Sequence, residues 1–367
     1  MKFICDKELL MDASNNVQRA VSGKSTIPAL EGMLLKAGGS SLFMAGYDLD
    51  IGITTSIEAQ VEASGEIVLN ARQFSDIVRR LPGETVAVEA DDRMNVHIAS
   101  GSSEYNVMGI SAEDYPDIPS VGDGIQVSLP QNVLKGMIRQ TLFAVAQVDA
   151  GRPVHTGTLF EMEDDSLRLV SVDGSRMAMR QETVKTSENM QFVIPGKTLA
   201  EVLKLLKDED TPLFMAVGKR HAILQIDGYS VITRLLDGEF LAYRKTIPQT
   251  SSTVIQVNTH DIVESVERVS IVSNDRIKSP LVCRFEDSSI YFSCTSSMGS
   301  SNDYLSCKTE GDTLEMGFNS RYLLDALKNA ETDEIKLELG GSLAPMKIVP
   351  VSGESFLFLV LPVRMKR

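Results

Sequence analysis

One unit is written three times along this chain, and no other feature of the sequence restricts the fold as tightly. A short strand-like run enters a helix pattern in KFICDKELLMDASNNVQRAVS from Lys2, in VSLPQNVLKGMIRQTLFAVAQ from Val127 and in IQVNTHDIVESVERVSIVS from Ile255. A second strand and helix follow in IVLNARQFSDIVRRL from Ile67, FVIPGKTLAEVLKLL from Phe192 and MGFNSRYLLDALKNA from Met316. The order is the same each time. Copies of one supersecondary unit bury against one another what each alone would leave exposed, so a stacked or closed array is expected.

The second helices align position by position. Arg72, Lys197 and Arg321 coincide, as do Phe74, Leu199 and Leu323, then Asp76, Glu201 and Asp325, then Arg79, Lys204 and Lys328. Phe74, Ile77, Val78 and Leu81, and likewise Leu199, Val202, Leu203 and Leu206, recur at the spacing that buries one side of a helix. Helices are expected over residues 7–20, 71–81, 131–147, 196–207, 259–272 and 319–330. Alternating segments such as TGTLFEME, SLRLVSVDGSRMAMRQ and SIYFSCTSS lie between and after them, with Gly, Asp and Ser turns that mark strands. The unit is thus helix, strands, helix, strands: an α+β fold with two helices on one face of an antiparallel sheet. Three tandem copies are expected at 1–121, 127–247 and 254–367, separated by DYPDIPSVGDG and KTIPQTSS.

Most function classes drop out. Hydrophobic residues at 43% and charged residues at 23% exclude disordered and low-complexity chains. No run approaches the roughly 18 apolar residues of a membrane span. Charge at Asp6 interrupts MKFICDKELL before a signal-peptide core forms, so a cytoplasmic protein is expected. Cys5, Cys283, Cys294 and Cys307 have no CxxC spacing and read as reduced thiols. His97, His155, His221 and His260 are too scattered for a zinc site or a histidine-based catalytic centre. Phosphate-binding, dinucleotide-binding, zincin and nucleophile-elbow motifs are all missing, so no catalytic residues, cofactor or metal are assigned.

The charge distribution is more informative. The net charge is −14, yet the six helix windows together carry +5 and the remainder −19. The first helix of the third copy departs from this, with Asp261, Glu264 and Glu267 against Arg268. Basic helices without interleaved aromatics or base-reading clusters suit phosphate contact that ignores sequence. Helices side by side at about 9 Å leave a hole of about 7 Å when six close into a ring, and about 24 Å when twelve do. A dimer of three-copy chains therefore has the size to hold duplex DNA. The competing reading is a repeat-built protein-binding scaffold without DNA.

At this point the residues resemble a known family, the bacterial sliding clamps, which are the beta subunits of DNA polymerase III. The resemblance runs from MKF to LPVR and is carried by TIPALEGMLL, RPVHTG, VDGSRMA, LLDGEFLAYRKTIP, GFNSRYLLDAL and FLVLPVR. It implies three similar domains and a head-to-tail homodimeric ring, helices inside and sheets outside, without catalytic activity. It also implies loading by an ATP-driven clamp loader, association with the nucleoid, and recruitment of the replicative polymerase and of other replication and repair proteins through a short peptide motif. Phosphate contact is expected at Arg72, Arg79, Arg80, Arg139, Lys197, Lys204, Arg268, Arg321 and Lys328, and the family's DNA-facing loop, here SGKST, adds Lys24.

Carried over by position, the family's peptide pocket would be walled by Arg152, His155, Val172, Gly174, Ser175, Arg176, Met177, Leu241, Lys245, Asn319, Tyr322, Leu343, Pro345, Leu359, Leu361, Pro362, Val363 and Arg364. His155 stands where an aliphatic residue is common in the family, Leu241 where Pro is, and Ser175 where His is frequent. The family's subunit contact would place Tyr105 and Val107 against Ile271 and Val272, with Gln73 nearby.

Overall fold

The computed structural model describes residues 1–122, 124–147, 151–185, 188–273, 279–286 and 288–365. Six helices appear where the pattern places them: α1 (Lys7–Val17), α2 (Ala71–Arg80), α3 (Gln131–Leu142), α4 (Gly196–Leu205), α5 (Thr259–Ser270) and α6 (Ser320–Lys328). Four begin on a side chain that accepts from the first free amides. Asp6 accepts from Leu9, Asn70 from Gln73, Asn258 from Asp261, and Asn319 from Arg321 and Tyr322. Each helix ends earlier than its apolar pattern, and beyond all but α4 the chain tightens into three-residue bonds such as Val21 N to Gln18 O and Ala144 N to Thr141 O.

The chain packs into two compact units, residues 1–132 with 200–235 and residues 133–199 with 236–367. The middle copy of the sequence repeat is therefore shared between them, and the sheets explain why. In the first unit an eight-stranded sheet pairs Tyr229–Arg234 of the second copy with Ile51–Glu58 of the first. In the second unit a nine-stranded sheet pairs Phe356–Val360 of the third copy with Arg176–Thr183 of the second. Strand pairing, with its continuous backbone hydrogen bonds, joins the copies.

These two junctions share one register. Counting across the ladders, Val127, Met215, Leu224 and Val231 form one row, and Ile255, Leu337, Ile348 and Phe358 form its counterpart. On the receiving side, Ile67, Leu35, Met44 and Thr55 correspond to Phe192, Phe160, Leu169 and Arg180. Tyr229 lies opposite Thr55 and Val231 opposite Ile53; Phe356 lies opposite Arg180 and Phe358 opposite Ala178. Each joining row is fully buried through its last member. The first copy's row, Phe3, Val88, Ile98 and Tyr105, is the exception, because Tyr105 is 36% exposed on the edge strand Ser103–Met108 of a five-stranded sheet. The matching receiving strand of the third copy, Gly299–Ser306, is likewise the edge of a four-stranded sheet.

Each copy's last strand leads into a segment that bonds back to the same place. Ile110 N donates to Val68 O, Leu236 N to Val193 O and Val363 N to Gly317 O, at 2.8, 2.9 and 2.8 Å. Cys5, Cys283 and Cys294 are buried and Cys307 half-buried, all as free thiols. Burial pushes the Cys5 thiol up to about 12 and raises the Cys283 thiol as well, so neither is a nucleophile at neutral pH.

Candidate functional site

All ten cations expected to meet phosphate are exposed. They differ in what already holds them. Arg79 and Arg80 both pair with Asp76, Lys204 with Glu201 at 2.8 Å, Arg139 with Glu331, and Lys328 with Glu267. Arg268 is shared between Glu264 and Asp303, and Asp303 keeps it charged most strongly. Lys24, Arg72 and Arg321 make no ion pair among the described residues. The acids answering Arg79 and Lys204 sit at the aligned positions Asp76 and Glu201, so the repeat that supplies the cations also supplies their partners. Exposed pairs of this kind are weak, about 0–1 kcal/mol, and exchange readily with another anion.

A second surface lies on the opposite side of the sheets from the helices, within the second unit. Leu159, Val170, Val172, Met177, Val193, Tyr243, Leu357 and Leu359 form a small apolar cluster there, with Phe240, Leu241, Met179, Ile247 and Val349 packed at its margin. The ladder rows explain why the other copies lack it. At the positions of Val170, Val172 and Met177 the third copy has Ser293, Thr295 and Ser300, and the first has Ala45, Tyr47 and Gly52. At these three positions the middle copy alone has aliphatic branched or sulfur-bearing side chains, and Leu359 of the third copy joins them across the Met177 to Leu359 pairing.

The residues assigned to the peptide site differ in burial and in what holds them. Val172, Met177 and Leu359 are its floor and keep only 2–4% of their surface. Leu343, Leu361 and Val363 are strongly exposed apolar side chains, with Leu361 N held by Ser175 O at 2.9 Å. Leu241 is half-buried beside the floor, whereas Lys245, Arg152 and Arg364 are exposed, and Pro345 and Pro362 are half-buried. Gly174 has φ +87°, which the tight turn at Asp173 requires; the Asp173 carboxylate accepts from Ser175 N and Arg176 N.

Arg176 is not an open rim cation. Its guanidinium donates to Asp173 at 2.9 Å and to Asp325, and lies over the Tyr322 ring at 4.5 Å and the Phe143 ring at 5.5 Å. It thereby ties the second copy's turn to α6, whose cap is Asn319. His155 packs edge-on against Phe240 at 5.3 Å, and its Nε2 is buried without a hydrogen-bond partner among the described residues. Burial, then the Arg152 charge, lowers its pKa, so the ring is neutral at physiological pH.

Sequence reasoning missed Phe240, Tyr243 and Glu161. In TGTLFEME the acid alternates with apolar residues and reads as solvent-facing, yet Glu161 is 4% exposed. The aligned positions are Lys36 and Arg284, so the middle copy carries the opposite charge at one place on the ladder, a difference visible on comparing the copies.

The residues assigned to subunit contact lie on two separate surfaces. In the first unit a groove of about 530 Å³ runs between α2 and the edge strand, lined by Arg72, Gln73, Asp76, Ile77, Tyr105 and Val107. In the second, Ile271 at the end of α5 is 76% exposed and Val272 is half-buried. No group of three or more metal-ligating side chains occurs among the described residues, and no helix is long and apolar enough to cross a membrane.

Family models for the DNA polymerase III beta subunit match its N-terminal domain to residues 1–119, its central domain to 128–241 and its C-terminal domain to 244–364. This chain belongs to that family. It is 32% identical to the beta sliding clamp of Bacillus subtilis, over 99% of this chain and 100% of the relative. The crystal structure of the DNA polymerase sliding clamp from Bacillus subtilis superimposes with a TM-score of 0.96 at 32% identity, covering 100% of both chains. That of the DNA polymerase III beta subunit from Thermotoga maritima gives 0.93 at 25% identity, again over 100% of both.

Proposed function

We propose that this protein is a DNA sliding clamp: a homodimeric ring that encircles duplex DNA, confers processivity on the replicative polymerase and has no catalytic activity of its own. The observation that carries the reading is the repeated register of the two internal junctions, together with one unpaired edge of each kind. Continued by the same count, the rule sets Ser103 opposite Asp303, Tyr105 opposite Ser301 and Val107 opposite Gly299 of a second copy. Tyr105 would then be covered as Val231 and Phe358 are, and Ile271 and Val272 would enter the groove beside Gln73. Two head-to-tail seams would close two chains into a ring and leave neither of these joining edges unpaired.

Around the hole, Lys24, Arg72, Arg79, Arg80, Arg139, Lys197, Lys204, Arg268, Arg321 and Lys328 would meet phosphates without reading bases. The acidic α5 and the pairing of most of these cations favour loose contact. The apolar face of the middle copy would take a short peptide through its Leu or Phe side chains, one site per chain, and so recruit the polymerase, the clamp loader and other proteins bearing such a motif. Association with the nucleoid follows from encircling DNA.

Retention on plasmid tests the reading. Once loaded, the protein should stay on nicked circular DNA and be lost from the same plasmid after linearisation. Equal loss from both forms would return the choice to a protein-binding scaffold without DNA.

A further inference from the structure

The peptide site has one wall outside the strands and the six α-helices, the segment from Leu236 to Ile247 with a single 3-10 turn at Tyr243–Thr246, and that turn is held by a buried carboxylate. Glu161 accepts from the Tyr243 hydroxyl at 2.6 Å, from Arg244 Nη2 at 2.7 Å and from Gln191 Nε2 at 2.6 Å. Arg168 reaches both Glu161 and Glu163 at 3.3 and 3.2 Å, and Arg244 reaches Glu163 at 2.7 Å. Two acids and two guanidinium groups thus balance in charge, and each oxygen of Glu161 has a donor, the condition for keeping a carboxylate in the interior. No other acidic or basic residue is as buried among the described residues.

The segment it holds carries five contributors to the apolar cluster: Leu236, Phe240, Leu241 and Ile247 at the margin and Tyr243 within it. Phe240 in turn supports His155. We propose that Glu161 is the positioning residue of the peptide site: it fixes Tyr243 and Arg244, and through them sets Phe240 and Leu241 beside the floor formed by Val172, Met177 and Leu359. The first and third copies, with Lys36 and Arg284 at this place on the ladder, have no such anchor for a connecting segment. This inference rests on the reading of the middle copy's outer face as a peptide site.

The test uses the full-length protein and a fluorescent short peptide with one Leu and one Phe anchor. Glu161→Gln keeps the shape and removes the charge, while Tyr243→Phe keeps the ring and removes only the hydroxyl. Each is expected to weaken the peptide by about tenfold, as when the competent arrangement falls to about one-tenth of molecules. The loss should lie in the association rate, with the amides of Tyr243 and Lys245 exchanging faster and those of 157–163 unchanged. Met177→Ala with Leu361→Ala distinguishes the two readings. If that pair abolishes binding while Glu161→Gln and Tyr243→Phe leave affinity and association rate as in the wild type, the positioning role is overturned and the site stands. If the floor variant binds as well as the wild type, the site itself is wrong and the positioning role falls with it.

Discussion

Ile271 gives the sharpest test of ring closure. Its side chain is 76% exposed in the isolated chain, so removing it costs the subunit little, within the about 0.5 kcal/mol typical of surface changes. In the proposed seam the same side chain is covered by the partner's groove. Ile271→Ala deletes three carbons, worth about 0.8 kcal/mol each when buried, or about 2 kcal/mol per seam. A ring of two chains has two such seams, so the dimer should lose about 4 kcal/mol, a shift of about a thousandfold in its dissociation constant. Sedimentation velocity over a dilution series reads this directly, with thermal unfolding at concentrations where both proteins are monomeric as the control. An unchanged dissociation constant would refute the seam. A lowered midpoint in the monomer would refute the premise that Ile271 is outside the subunit's own core.

Four further outcomes are expected. Tyr105→Cys combined with Ser301→Cys should cross-link under mild oxidation into a covalently closed dimer, since opposed residues lie about 4.5–5.5 Å apart between Cα atoms, within disulfide reach; cross-linking of Tyr105→Cys to Asp303→Cys instead would mean a different register. Charge reversal at Arg72, Lys197 and Arg321 together should lower the salt dependence of DNA binding by about three units, checked by retention across a salt series. Met177→Ala with Leu361→Ala should abolish peptide binding by fluorescence anisotropy while dimerisation and retention on circular DNA persist. The lowered pKa of His155 means the unfolded chain takes up a proton before the folded one does, so stability is full above the ordinary histidine value of about 6.5 and falls as pH drops through it; His155→Leu should flatten the urea midpoint between about pH 7.5 and about pH 5.5.

The helices and the order of the copies were legible because Phe74, Leu199 and Leu323 recur at one position, each nearly fully buried. The sharing of the middle copy between two units was not, since it depends on Val231 meeting Ile53 and Phe358 meeting Ala178 across long sequence separations. The proposed peptide site is implied by family motifs rather than by residue patterning. Its physical basis could have been found by setting Val170, Val172 and Met177 against Ser293, Thr295 and Ser300 in the aligned strands. Arg176 shows where reading by type fails: a surface-seeking residue is 10% exposed in its side chain because Asp173, Asp325 and Tyr322 surround it.

The ion pairs along the helices bear on how such a ring travels. In the proposed ring a cation whose resting partner is its own helix's acid would not be left bare when a phosphate moved out of reach, since Arg79 would return to Asp76 and Lys204 to Glu201. Each step along the duplex would then be an exchange of one anion for another, so successive positions would differ little in energy and the friction on the moving ring would be low. Neutralising Asp76 and Glu201 would deepen each stopping place, tightening the grip on DNA and slowing diffusion along it.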